Sequence, residues 1–269
     1  MSKGKLKTVY LGREGQVAHS DVPSWDFIYS ASTVKDPDWE IGDVVELPGR
    51  REFVYAKSDG VCNAGRGCEF TAVGVQTGGL LSAAQAVGDK QISVAAGTHD
   101  TLTVDCLRGG YVIIYTTPAN ASETCQFRGI IGNTAALTAV GFTLYLDGPL
   151  NLALTTSSTC EVFQNPYAAV HTGTVANFPK AGLPAVYVSA TLMYFWVQTK
   201  GPCWVFPATG QVGAAGGLGC MWSNNGGYLE AVTDALVGTS IKAGMSTQYA
   251  GYVLEGSQPN NGPLFNLQG

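Results

Sequence analysis

Residues 192–205 read LMYFWVQTKGPCWV, and this run constrains the chain more than any other. Its aromatic and β-branched residues favour paired strands packed against a core, with Thr199-Lys200-Gly201-Pro202 as a turn signal between two apolar runs. On a strand, Tyr194, Trp196 and Gln198 share one face and Met193, Phe195, Val197 and Thr199 the other. Both faces are mostly apolar, so the strand is expected to be covered on both sides, by its own core and by a second layer or subunit. Nothing in the run is suited to abstracting a proton or coordinating an ion. Tyr194, Phe195, Trp196, Trp204 and Phe206 are therefore candidates for packing or for an interface.

The rest of the composition points the same way. Of 269 residues, 45% are apolar, enough for a sizeable core, while only 13% are charged, about half the usual share. With 35 Gly and 12 Pro the chain is rich in turns. A surface so poor in charge suits an obligate assembly component. A net charge of −5 excludes broad nucleic-acid binding, which needs a cationic footprint. Lys3, Lys5, Lys7 and Arg13 make a locally basic N-terminus, read as a solvated, frayed end. Residues 1–8 lack the apolar core of a signal peptide and no run of about 18 apolar residues occurs, so neither secretion nor a membrane span is expected. The seven cysteines are scattered, with no C-x-x-C pair; they read as buried small apolar residues of a chain made in a reducing cytosol.

Along the chain, residues 1–40 read as an irregular arm draped over a neighbouring subunit, with Trp25, Phe27 and Tyr29 alternating in one short strand. Asp36, Asp38 and Glu40 would share a face if extended, but Pro37 stiffens the segment and a solvated acidic stretch suits it better than a calcium site. Residues 41–57 form the clearest hairpin, turning at Pro48-Gly49-Arg50, with Phe53 and Tyr55 on one face. Residues 62–68 are a Gly-containing loop without phosphate-binding spacing. Residues 80–87 are the one early helical candidate. Short strands follow at 91–95, 101–107, 111–116, 124–131, 142–146, 150–155 and 160–163, spaced as in a sandwich or barrel. Further strands are expected at 185–188, 228–232, 239–242, 249–255 and 264–267, with a Gly/Ala-rich loop over 210–219 and a hairpin signal at 224–227. The fold class is all-β, sandwich- or barrel-like, with many short antiparallel strands. Its organisation reads as an arm (1–40), a hairpin segment (41–88) that can pair with the C-terminal part, a β domain (89–167) that is a possible insertion, and a C-terminal β domain (168–269).

No catalytic constellation emerges. His19, His99 and His171 are far apart, and His99 reads as a solvent-exposed turn residue. No G-x-S-x-G, H-E-x-x-H or helix-opening G-x-G-x-x-G occurs. A glycosidase needs only two carboxylates, a weak demand that leaves a glycan hydrolase as a remote alternative. No cofactor and no metal is assigned. Carbohydrate binding through exposed aromatics is a stronger alternative, although Trp196 and Trp204 lie in apolar runs where burial is the default. Asn120-Ala121-Ser122 fits a glycosylation acceptor only in a secreted protein.

The order of signals resembles a known group. IGDVVELPGRREFVYAK (41–57), GGYVI (109–113), TLYLDGPLNLALT (143–155), NPY (165–167), YFWVQTKGPCWV (194–205), GYVLEG (251–256) and PLFNLQ (263–268) resemble virion structural proteins of tailed bacteriophages, over most of the chain from residue 41. The resemblance implies a non-enzymatic capsid decoration or cement protein, made in the host bacterial cytoplasm. It also implies that the protein binds the major capsid protein on the virion surface, as a homo-oligomer with trimers favoured. It carries over no catalytic residue. The runner-up is a tail or adhesion component that binds host polysaccharide.

Overall fold

The computed structural model describes residues 8–10, 23–47, 49–71, 74–116, 125–172, 178–206, 219–223, 226–231, 245–255 and 264–268. The basic N-terminal residues, His19, the Asn120 triplet, most of the Gly/Ala-rich loop, Asn224-Asn225 and the strand expected at 239–242 lie outside them. The chain is all-β and forms two compact units: Met1–Lys5 with Ala72–Pro166, and Leu6–Thr71 with Tyr167–Gly269. The first thus interrupts the second in sequence. The junction falls at Ala72, and not at 89, because the strand after it hydrogen-bonds within the interrupting unit.

The N-terminal part contributes β1 (Thr8–Tyr10), α1 (Trp25–Ile28), β2 (Val44–Leu47), β3 (Arg51–Lys57) and β4 (Cys68–Phe70). The strand expected around Trp25 is instead one helical turn, because the Ser24 side chain accepts the Phe27 N–H at 3.2 Å and caps it. The described part of the expected arm packs on its own unit: Ile28 and Trp39 are buried against Phe53, Tyr55 and Trp196. The three carboxylates do not share a face. Asp36 Oδ1 accepts the Asp38 N–H in a tight turn, while Glu40 pairs with Lys35 at 2.7 Å. The hairpin pairs Val44 with Val54 through Leu47 with Arg51.

The interrupting unit is a six-stranded antiparallel sheet, β5 (Gly74–Leu80), β6 (Gln91–Val94), β7 (Tyr111–Tyr115), β8 (Cys125–Asn133), β9 (Phe142–Leu146) and β10 (Thr159–Phe163), in the order β5-β10-β7-β8-β9-β6. The two ends of that order meet. Ala95 N–H donates to Leu80 O and Ser82 N–H to Ser93 O, so the sheet closes into a barrel filled by Ile92, Val112, Ile114, Leu144, Leu146 and their neighbours. No helix forms over 80–87; the backbone there bonds across, Gln85 exchanging both bonds with Leu154, and eight residues offer too little helix to compete. Residues 101–107 are turns as well. After Leu102 bonds Ala136, Asp105 adopts a positive φ of 59°, and buried Asn133 takes the Leu107 N–H and donates to Thr103 O. Val104 is consequently exposed. Residues 150–155 hold a bridge at Leu154 and no strand. His99 is buried, its ring nitrogens 2.6 and 2.7 Å from the carbonyls of Asp100 and Val140, its ring edge-on to Phe142.

After a 3-10 turn at Pro166–Ala168 come β11 (Val170–Thr172), β12 (Lys180–Pro184), β13 (Tyr194–Trp204), β14 (Gly219–Ser223), β15 (Leu229–Ala231), β16 (Met245–Glu255) and β17 (Leu264–Leu267). The strand expected at 185–188 is reduced to a bridge between Val188 and Cys62. The main order is β1-β2-β3-β13-β17-β16-β14-β15, with β12 joining β13 to β4 and β11.

β13 is the axis of this unit. It is one strand of 11 residues and contains no reversal at Thr199-Lys200-Gly201-Pro202. Its first part pairs with β3, Tyr194 with Lys57 through Lys200 with Glu52, and its last four residues pair with β17. The register slips between Gln198 and Lys200, and Gly201 takes φ +88°. A Cβ at Gly201 would lie 2.5 Å from Arg50 O, so the turn-like sequence makes a bend inside a strand. Alternation works as expected. Tyr194 and Trp196 enter one cluster with Phe53, Tyr55 and Trp39, while Phe195 and Val197 enter another with Cys62, Cys68, Val170 and Val188. Both covers come from the strand's own unit.

Candidate interaction surface

The five residues singled out along β13 divide at the bend. Phe195 and Trp196 are wholly buried and structural. Tyr194 is half-buried, stacked on Tyr55 at 6.1 Å, with Lys57 Nζ 5.9 Å from its ring. Trp204 and Phe206 lie past the bend and are 44% and 39% exposed. Burial, the default for an apolar run, therefore fails at Trp204, which faces outward from its sheet.

The sheet β13-β17-β16-β14 explains why. Its inner positions, Phe265, Leu267, Val253, Cys220 and Trp222, form a buried cluster. Trp204 pairs with Leu264 across strands, and Tyr252 pairs with Asn266. Alternation turns these outward, where Trp204, Leu264, Tyr252, Leu254 and Tyr249 are all exposed. None of the five is charged.

The aromatic corner of this face is held rigidly. The rings of Trp204 and Phe206 meet edge-on, 4.4 Å between centroids. Phe206 N–H donates to Gly65 O at 2.7 Å, and Leu229 N–H to Phe206 O at 3.1 Å. Beneath them Gly65 has φ +73°, and a Cβ there would sit 2.5 Å from the Trp204 ring. The loop at 62–68 thus seats an indole. Arg66 beside it stacks its guanidinium 4.3 Å from the Tyr228 ring centre.

A second constellation was not legible in the sequence. Glu69 on β4 is fully buried, between His171 on β11 and Lys180 on β12 as cross-strand partners. Lys180 Nζ lies 2.6 Å from Glu69 Oε2, with side-chain exposures of 1% and 0%. His171 Nε2 lies 3.4 Å from Glu69 Oε1, and His171 Nδ1 lies 3.0 Å from Asp59 Oδ1. Thr71 Oγ1 donates to Asp59 Oδ2 at 2.9 Å. The neighbouring Cys68 thiol is pushed well up by burial and then by Cys62, with Lys180 opposing. Glu69 between Cys68 and Phe70 in an apolar strand was the one clue.

The cysteines follow burial only in part. Cys62, Cys68, Cys160 and Cys220 are buried and Cys203 is half-buried, whereas Cys106 and Cys125 are exposed. Cys106 sits in the turns that replace the expected strand, and Cys125 opens β8 at an outward position. Among the described residues, no group of three or more His, Cys, Asp or Glu is arranged to hold a metal ion. No described helix is long and apolar enough to cross a membrane. No protein-family model, curated protein or solved structure matches the chain.

Proposed function

We propose that this chain is a structural protein of a tailed-phage virion that binds the outside of the capsid and stabilises the head shell, most simply as a trimer. The observation that carries the reading is the outward side of β13, β17 and β16, where Trp204, Leu264, Tyr252, Leu254 and Tyr249 are exposed, with Trp204 and Phe206 as its rigid corner. Contiguous exposed apolar surface of this kind marks interaction sites in soluble proteins. Aromatic anchors held by their own loop are the usual centres of binding energy. The partner by this reading is the major capsid protein, and the interface is neutral and apolar, in keeping with the low charge of the chain. Binding of the purified protein to heads that lack it tests the proposal. Trp204→Ala combined with Leu264→Ser should weaken binding by about tenfold or more and leave the far-ultraviolet circular dichroism unchanged. Equal binding by wild type and variant would contradict it.

One observation favours a second reading, a glycan-binding tail component. On the barrel, Tyr111 and Phe127 are exposed and stack at 5.3 Å with 17° between their planes, a ring pair suited to a sugar face. Glycan-array binding abolished by Phe127→Ala would favour this reading over the first.

A further inference from the structure

We propose that Lys180 and Glu69 condense to form an intramolecular isopeptide bond. Four observations meet at this point. The ammonium nitrogen and the carboxylate oxygen are 2.6 Å apart, and both side chains are sealed from solvent. Cys68, Val170 and Ala181, the chain neighbours of Glu69, His171 and Lys180, are buried in an apolar cluster on the other face of these strands. The second carboxylate oxygen, Glu69 Oε1, is buried without a hydrogen bond. His171 Nε2 lies 3.4 Å from it, in a ring whose other nitrogen faces Asp59.

A buried ion pair is poorly solvated, and its members gain by becoming neutral. A proton passed from Nζ to the carboxylate across the 2.6 Å contact leaves an amine beside a carboxylic acid. The Nζ lone pair then adds to Cδ, forming the C–N bond. The C–Oε2 bond breaks and that oxygen departs as water. Of the three protons on Nζ, one remains on the amide nitrogen and two leave with Oε2, both passed across the 2.6 Å contact. The balance is one ammonium and one carboxylate giving one amide and one water, with no oxidant or external reactant. His171 Nε2 faces Oε1, the oxygen kept as the amide carbonyl, and His171 and Asp59 are positioning residues. Close packing holds nucleophile and electrophile together for the lifetime of the fold. A site without bulk water favours the product side.

The bond would tie β4 to β12, strands that flank the interrupting unit in sequence. It does not depend on the shell-binding reading. Intact-mass measurement of the full chain after unfolding in denaturant tests it directly. The expected mass is lower than that of the sequence by one water, and a protease digest should yield a branched peptide joining residues 69 and 180. Lys180→Arg should restore the full sequence mass. His171→Gln should keep the fold by circular dichroism yet accumulate the lighter form far more slowly after refolding. A wild-type protein that is folded, aged for days and still has the full sequence mass would overturn the proposal, as would a lighter mass with no branched peptide.

Discussion

Phe195 and Trp196 are adjacent in sequence and serve two different cores, so single side chains of β13 report on separate halves of the unit. Phe195 packs with Cys62, Val170 and Val188, and Phe195→Ala should lower stability by about 3 to 5 kcal/mol, measured by denaturant unfolding. A near-neutral result would mean that β13 is not the centre of the fold. Titration gives a second test. Burial raises the Tyr55 hydroxyl from 10.0 to about 12, with the hydrogen bond from the Asp36 backbone opposing. Burial likewise raises the Cys160, Cys203 and Cys220 thiols from 9.0 to about 12. A folded value above the unfolded one means that the unfolded chain loses its protons first as pH rises. The stability linked to these groups is therefore complete below about pH 9 and is lost progressively between pH 9 and 12. Thermal melts should show a flat midpoint from pH 7 to 8.5 and a fall above it. Tyr55→Phe should flatten the part of that fall above pH 10, and an unchanged slope would contradict the assignment.

At the level of elements, the bend in β13 decides which side chains face out. Gly201→Ala forces a Cβ against Arg50 O at an unfavourable φ and should cost about 2 kcal/mol or more, seen as a lower midpoint in urea. It should also reduce the exposure of Trp204, read by fluorescence quenching. Residues with strict alternation between clear turns were legible from sequence, as in the hairpin of β2 and β3 and in β7, β9, β10 and β17. Thr199-Lys200-Gly201-Pro202 misled because Gly and Pro serve a bulge as readily as a reversal. What distinguishes the two is the approach of Arg50, which only the fold creates. Residues 80–87 and 101–107 misled in the opposite direction, since their periodicity was overruled by cross-strand bonds to Leu154 and Ala136. The Glu69, His171 and Lys180 constellation was illegible for a plainer reason. Its members sit on strands separated in sequence by the whole interrupting barrel.

For the whole molecule, a barrel closed on itself with its own apolar filling should stand alone. Residues 72–166 expressed separately should unfold in one cooperative transition by circular dichroism, and a non-cooperative loss of signal would show that closure depends on the rest of the chain. The enclosing unit is organised differently. Its strands from both chain segments meet on β13, bury two clusters along it, and leave Trp204, Leu264, Tyr252, Leu254 and Tyr249 exposed beyond the bend. By the proposed reading the chain adheres to a larger surface through Trp204 and Phe206, with the rest of β13 as their support. The most direct test of the proposed virion reading is immunogold electron microscopy of intact tailed-phage virions whose genome carries this gene, using antibody raised against the purified chain. The account predicts gold distributed over the head surface. Label confined to the tail, or absent from virions altogether, would contradict it.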